Sequence, residues 1–258
     1  MIKRLSPYLD RDVVRQLLNL LAILAAFATN ILANIAPIGG LTIGEISNQI
    51  FGDVLITPAN YAFAIWGLIY LGLISLAVYQ ALPKQRENAT LRRMGYLLVL
   101  SSLAQIVWVF AFQYRLFALS LLAMLGVLLP LIGIYLRLGI ALRGVSWQDR
   151  WFVLRPVSIY LGWISVATIV NVALVLYGWG WRGDTLGGQG WTVIMVIIAA
   201  LLAATVNIRR YDASYPLVIV WALIAIAVRH ADTLAISSTA GGLAIALFLL
   251  VIFKGRVG

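Results

Sequence analysis

The stretch "VLITPANYAFAIWGLIYLGLISLAVYQALP", residues 54–83, runs for thirty residues without a charge. A bilayer span needs roughly 20 consecutive apolar residues, so this run is long enough to cross a membrane. It is also too polar and too aromatic on one side to face only lipid. Asn60, Tyr61, Phe63, Trp66 and Tyr70 fall within three helical turns. An amide or ring N–H left without a partner in hydrocarbon costs several kcal/mol, of the order of 2–7. That side must therefore turn inward, against other helices.

Seven further charge-free runs cover residues 16–44, 94–114, 116–136, 156–181, 185–208, 213–228 and 233–253. The 258-residue chain is 63% hydrophobic and 11% charged, with a mean hydropathy of +0.99. A soluble domain carries about 25% charged residues. The fold class read from this is all-α, a polytopic membrane helix bundle of about eight transmembrane helices. The run at 213–228 is the short one, and the other seven reach full span length. The first run reads as a span and not as a cleaved signal peptide, because it is long and no small-residue cleavage site precedes a soluble domain.

The basic residues orient the bundle. With the N-terminus in the cytoplasm, alternation puts sixteen of the nineteen Lys and Arg on the cytoplasmic side, Lys3, Arg4 and Arg256 among them. The opposite side holds Arg115, Arg182 and Arg229. This is a positive-inside distribution with both termini cytoplasmic. It accounts for the net charge of +10 by topology and by attraction to anionic lipid, so no nucleic-acid partner is expected. The bilayer is the first partner; a plasma (inner) membrane and an internal membrane both fit.

Several chemistries are excluded. There is no cysteine, hence no disulfide framework or thiolate site. A single histidine, His230, cannot build a multi-histidine metal centre. No Ser/His/Asp set or paired carboxylates lie within the spans, so no acid–base enzyme is expected and no metal or resident cofactor is required.

The longest non-cytoplasmic connection, residues 36–57, carries Glu45 and Asp53 and no basic residue. Pro37, Gly39 and Gly40 end the first span there. A connection of this length reads either as a plain connector or as a lid over a pocket mouth. Trp147 and Trp151 in a basic loop, and Trp179, Trp181 and Trp191 in a Gly/Trp-rich turn, read as interfacial anchors.

At about 100° per residue, Phe63, Trp66, Gly67 and Tyr70 occupy one arc of the second span, with Asn60 beside it. Ser101, Gln105, Trp108 and Phe112 form a stripe on the third. Pro156, Tyr160, Trp163, Ala167 and Asn171 form one on the fifth. Asn30 and Asn34 add two amides to the first span. The three aromatic-plus-amide faces either bond and pack helix to helix, or line a cavity for a flat, mostly apolar ligand.

A resemblance bears on that choice. "TPANYAFAIWGLIYLGL", "SSLAQIVWVFAFQYRLFALSLLAML" and "RPVSIYLGWISVATIVNVALVL" resemble, in order and spacing, the second, third-to-fourth and fifth helices of the tryptophan-rich sensory protein / translocator protein family (TspO/MBR). "IWGLIY" is similar to that family's V-W-x-x-L-Y, and Tyr160, Trp163, Ala167 and Asn171 read as its Y-x-x-W-x-x-x-A-x-x-x-N. The likeness covers roughly residues 14–180. It implies a five-helix bundle with an internal pocket for porphyrins, sterols or synthetic aromatic ligands, capped by the loop after the first helix. On that reading Asn60, Phe63, Trp66, Tyr70, Gln105, Trp108, Tyr160, Trp163, Ala167 and Asn171 are the ligand-binding residues. Porphyrin or haem enters as ligand, not as required cofactor. The family's prolines before the helix-two tryptophan are absent here, where Phe63-Ala64-Ile65 stand; Pro58 lies upstream.

The chain then divides into a five-helix bundle, residues 1–182, and a three-helix extension, residues 183–258, like the longer bacterial branch of the family. "RHADT", Arg229 to Thr233, holds the only histidine. It reads as a polar turn with Asp232 as N-cap of the last span, or as a titrating gate. Ala240, Gly241, Gly242 and Ala244 open a small-residue face for internal packing or a homodimer. The expected function is an integral membrane receptor or sensor for a planar lipophilic ligand. Secondary transport of that ligand is the alternative, and light- and oxygen-dependent porphyrin breakdown stays open.

Overall fold

The computed structural model describes residues 10–255. Lys3, Arg4 and Arg256, assigned above to the cytoplasmic side, lie outside the described residues. Among the described residues the chain forms eight long helices and no strand. They are α1 (Arg11–Ile35), α2 (Ile65–Ala81), α3 (Leu97–Gln113), α4 (Phe117–Leu138), α5 (Arg155–Gly178), α6 (Gly187–Arg210), α7 (Ser214–Arg229) and α8 (Leu234–Gly255).

Local chemistry sets the helix ends. The Asp10 carboxylate accepts the Asp12 N–H at 3.0 Å and starts α1. Pro37, two residues after Ile35, cannot continue it. Asn88 caps a short helix, Ala89–Met94, through the N–H groups of Thr90 and Leu91. That helix would run straight into α3, but Gly95 adopts φ 61° and ψ −131°, a conformation open to glycine. The third span is thereby cut to 17 helical residues, shorter than the run at 94–114 suggested. At about 1.5 Å per residue, α3 and the 16-residue α7 reach roughly 24–26 Å, against a hydrocarbon core of about 30 Å. The other six, with α2 counted from the turn Asn60–Ala64 that leads into it, are long and apolar enough to cross a membrane.

Helices α1 to α5 close into a ring in which α1 meets α2 and α3, α3 meets α4, α4 meets α5, and α5 meets α2. Helices α6, α7 and α8 pack on one another, and α7 is their main contact with the ring, lying along α5. The approach is close at Gly162, where an added Cβ would stand 3.0 Å from Val218 Cβ and 3.1 Å from the Tyr215 carbonyl. One buried core is continuous from Ile23 in α1 to Leu247 in α8. The outward surface is lipid-like: Leu32, Leu71, Leu129, Leu201 and Ile245 all stand exposed. This is a multi-pass integral membrane protein.

The two ends of the bundle differ in charge. At one end Asp149 accepts hydrogen bonds from Tyr79 (2.9 Å), Asn88 (2.9 Å) and Thr90 (3.0 Å), and Arg92 and Arg15 pair with Asp12. Trp147 and Trp151 sit at that end, with the Arg155 guanidinium 3.4 Å over the Trp151 ring. At the other end, residues 36–64 fold back over the ring. The connection is therefore a lid. Its helical turn Ile43–Glu45 is held by a capping box, in which the Glu45 carboxylate accepts the Thr42 N–H at 2.7 Å. The same bonds hold the Glu45 carboxyl below its usual range.

Candidate functional site

Under the lid, α2, α3 and α5 turn their aromatic faces toward one another. Trp66 stacks on Tyr70 (5.6 Å between ring centroids) and on Trp108 (6.5 Å), and meets Tyr160 edge-on at 6.2 Å. Phe63 meets Trp163 edge-on at 6.1 Å. Between them lies a cavity of about 40 Å³. Phe63, Trp66, Trp108, Trp163, Ala167 and Asn171 line it, with Phe112, Val166, Val170 and Leu174 from the ring. Six of the ten residues expected to bind ligand thus stand on one wall.

Three others lie deeper, in a hydrogen-bonded layer. Tyr160 donates its hydroxyl to Gln105 Oε1, Gln105 Nε2 donates to the Tyr70 hydroxyl, and Tyr70 donates to the Ala26 carbonyl at 3.2 Å. This chain ties α5, α3, α2 and α1 together across the ring. Asn171 is a second hub: its Oδ1 accepts the Trp108 indole N–H at 2.9 Å, and its Nδ2 donates to Ser120 Oγ at 3.1 Å.

Asn60 does not join them. It is exposed at the lid base, where its Oδ1 accepts from Asn48 Nδ2 at 3.5 Å. The physical reason is the turn type. Asn60–Ala64 is a tight 3₁₀ turn, so extrapolating about 100° per residue back from Trp66 misplaces it. Gly67 also points outward, with open space around its would-be Cβ. On α1, Asn34 bonds the Asn30 carbonyl of its own helix at 2.8 Å and stays exposed. The amide that reaches α1 is Gln113 of α3, which donates to the Ala33 carbonyl at 2.9 Å.

The lid contributes residues that periodicity could not flag: Ile43, Ser47 and Pro58 close the cavity from above. The Ser47 hydroxyl is buried with no hydrogen-bond partner. The Trp108 indole N–H, by contrast, is answered by Asn171. Buried polar groups are ordinarily paired, so the Ser47 hydroxyl is a hydrogen-bonding group left over for a ligand at this cavity.

The lid is fastened from three helices. Gln113 of α3 accepts the Ile38 N–H at 3.4 Å, and Tyr177 of α5 donates to Asp53 at 2.9 Å. Arg229, at the end of α7, donates to Asn48 Oδ1 and to the carbonyls of Pro58 and Gly52, both at 3.3 Å. Trp221 of α7 donates to the Ala62 carbonyl at 3.1 Å, and the Ala59 N–H donates to the Ala225 carbonyl at 3.1 Å. The polar turn after α7 is therefore a clasp more than a pair of helix caps. The N-cap position of α8 falls on Thr233, whose carbonyl accepts the Ser237 N–H at 3.0 Å. Asp232, the expected cap, stands one residue too early. His230 is buried with Nε2 unpartnered. Burial first, then the charge of Arg229, lowers its pKa, while a hydrogen bond to the Leu55 backbone works the other way.

In α8 the small residues split. Ala240 and Ala244 are buried, whereas Gly241 and Gly242 have open space around them.

No curated protein and no solved structure matches the chain. A family model described as TSPO-like protein matches residues 16–253, running through the last three helices and so past the stretch that carries the helix motifs. With the five-helix ring, the lid and the aromatic cavity in place, this match assigns the chain to the TSPO-like protein family.

Proposed function

We propose that the protein is a membrane sensor or receptor whose ligand is a planar, mostly apolar molecule with a few polar groups, held between α2, α3 and α5 under the lid. A tetrapyrrole such as a porphyrin or haem, or a sterol-like molecule, has this chemistry. The observation that carries the reading is the cavity wall: the Trp66, Trp108 and Trp163 rings stand around it, with the buried Ser47 hydroxyl unpartnered above them. Indole faces stack on a flat ring while their N–H groups donate to its polar edge. A carboxylate or ring carbonyl there would also accept from the Ser47 hydroxyl.

The cavity of about 40 Å³ is far below the 300–1,000 Å³ typical of occupied ligand sites. Binding therefore requires the rings to part and the lid to lift, so the ligand is selected by an opening motion. Protoporphyrin IX titrated into the purified protein is expected to quench tryptophan fluorescence saturably. Trp66→Ala and Trp163→Ala are each expected to weaken it by about tenfold, since losing one stacked, hydrogen-bonding indole removes about 1–3 kcal/mol. Unchanged quenching in both variants refutes the site. A proteoliposome flux measurement with the same ligand separates sensing, which moves none, from transport.

A further inference from the structure

A second and much larger cavity, about 450 Å³, lies outside the ring between α5, α6 and the lid segment Asp53–Ile56. Its size falls within the ligand-site range of about 300–1,000 Å³. Its walls are apolar, formed by Ile169, Ala173 and Met195, and its rim carries Tyr177, Arg182 and Trp191. Ile169 lies eight residues before Tyr177 on α5, so the apolar slot descends about 12 Å from the rim along the helix. Val172, on the same wall, is exposed on the outer surface of the bundle, so the slot communicates with the bilayer from the side.

The rim has an unanswered cation. Arg182 lies flat on Tyr177, its Cζ 3.6 Å from the ring centre. Its Nη1 donates to the Tyr177 and Trp181 carbonyls at 2.7 and 3.1 Å. Those contacts fix the plane of the guanidinium and engage Nη1 alone, and no carboxylate lies within ion-pair distance of Arg182 among the described residues. Of the two acids in this region, Asp53 accepts the Tyr177 hydroxyl at 2.9 Å and Asp184 accepts the Trp181 indole N–H at 2.8 Å. An oriented guanidinium edge matches a carboxylate or phosphate. An apolar slot that descends between two helices and opens sideways to the bilayer matches an acyl chain.

We propose that this slot holds an amphiphile with an anionic head, carboxylate or phosphate, on Arg182 and one acyl chain between α5 and α6. The site is independent of what fills the aromatic cavity, and its test reads no tryptophan signal. The protein in phosphatidylcholine nanodiscs is irradiated with a palmitate analogue bearing a diazirine in its chain, and adducts are mapped by mass spectrometry. Adducts are expected on residues 169–177 and 188–195. Palmitate is expected to outcompete its methyl ester by at least about tenfold, the worth of one charge-assisted hydrogen bond of about 1.5–3 kcal/mol. Arg182→Gln should erase that preference, and Ala173→Trp should block both probes by filling the slot.

The head-group comparison on the unaltered chain needs no variant to fold. Equal competition by acid and ester, or adducts spread evenly over the lipid-facing helices, overturns the proposal. Phosphatidylglycerol in the nanodisc separates the two sources. If it displaces the probe from the slot, the natural occupant is a membrane lipid; if the probe stays, it is a free carboxylic amphiphile.

Discussion

Gln105 uses both ends of its amide on phenols, accepting from Tyr160 and donating to Tyr70. All three side chains are buried, so the hydrogen bonds cannot be exchanged for water. Gln105→Leu is expected to destabilise the protein by about 1–3 kcal/mol, because the Tyr160 hydroxyl loses its acceptor. Adding Tyr160→Phe should recover about 0.6–1.7 kcal/mol, the range of such couplings inside membranes. Unfolding of the four variants of this cycle in detergent measures it, and strict additivity would show that the bond contributes nothing. At this scale the sequence was informative where helical period applies. Trp66, Trp108, Trp163 and Asn171 share a wall because each belongs to a stripe that recurs every three or four residues along its own helix. Asn60 and Gly67 were misread because the period does not hold through a 3₁₀ turn, and because an arc of about 100° is too coarse to separate cavity from lipid. Ser47 carried no signal, since its place depends on the fold of a non-periodic lid.

The lid owes its position to α7. Arg229 donates to three lid residues that lie more than 170 positions earlier in the chain, a relation no local pattern encodes. Its sequence context, beside His230 and Asp232, pointed instead to helix capping. Arg229→Met is expected to speed amide hydrogen exchange across residues 43–57. Loss of charged hydrogen bonds worth about 1.5–3 kcal/mol raises the opening constant about 10- to 100-fold. Bound protoporphyrin should then leave faster, with the cavity side chains untouched. Unaltered exchange over residues 43–57 would mean that Tyr177 and Gln113 hold the lid without the clasp. The break at Gly95 was equally hidden: a single glycine within a charge-free run looks like any other span residue until its φ is known.

For the whole molecule, eight helices and their order were legible because charge-free runs and span length are tied by bilayer thickness. The closing of five of them into a ring, with α7 laid on α5, was not, since it depends on close approaches such as Gly162 against Val218. The basic end of the bundle is expected in the cytoplasm. The chain has no cysteine, so single cysteines report sidedness cleanly. Thr185→Cys and Leu142→Cys both lie in exposed turns at opposite ends. A membrane-impermeant maleimide applied to intact cells should label the first and spare the second until the cells are permeabilised. The reverse pattern inverts the orientation.

One of the lid's attachments contains no side chain at all. The Ala59 N–H reaches the Ala225 carbonyl, main chain to main chain. Alanine scanning passes over such a bond, and two relatives can differ at both positions while keeping it. Only removal of the donor deletes it. Ala59 has φ −57°, already the angle of a proline ring, so proline is the one natural residue that cuts the bond while leaving the backbone path in place. A catalogue of tolerated substitutions would show position 59 as permissive with a single exception.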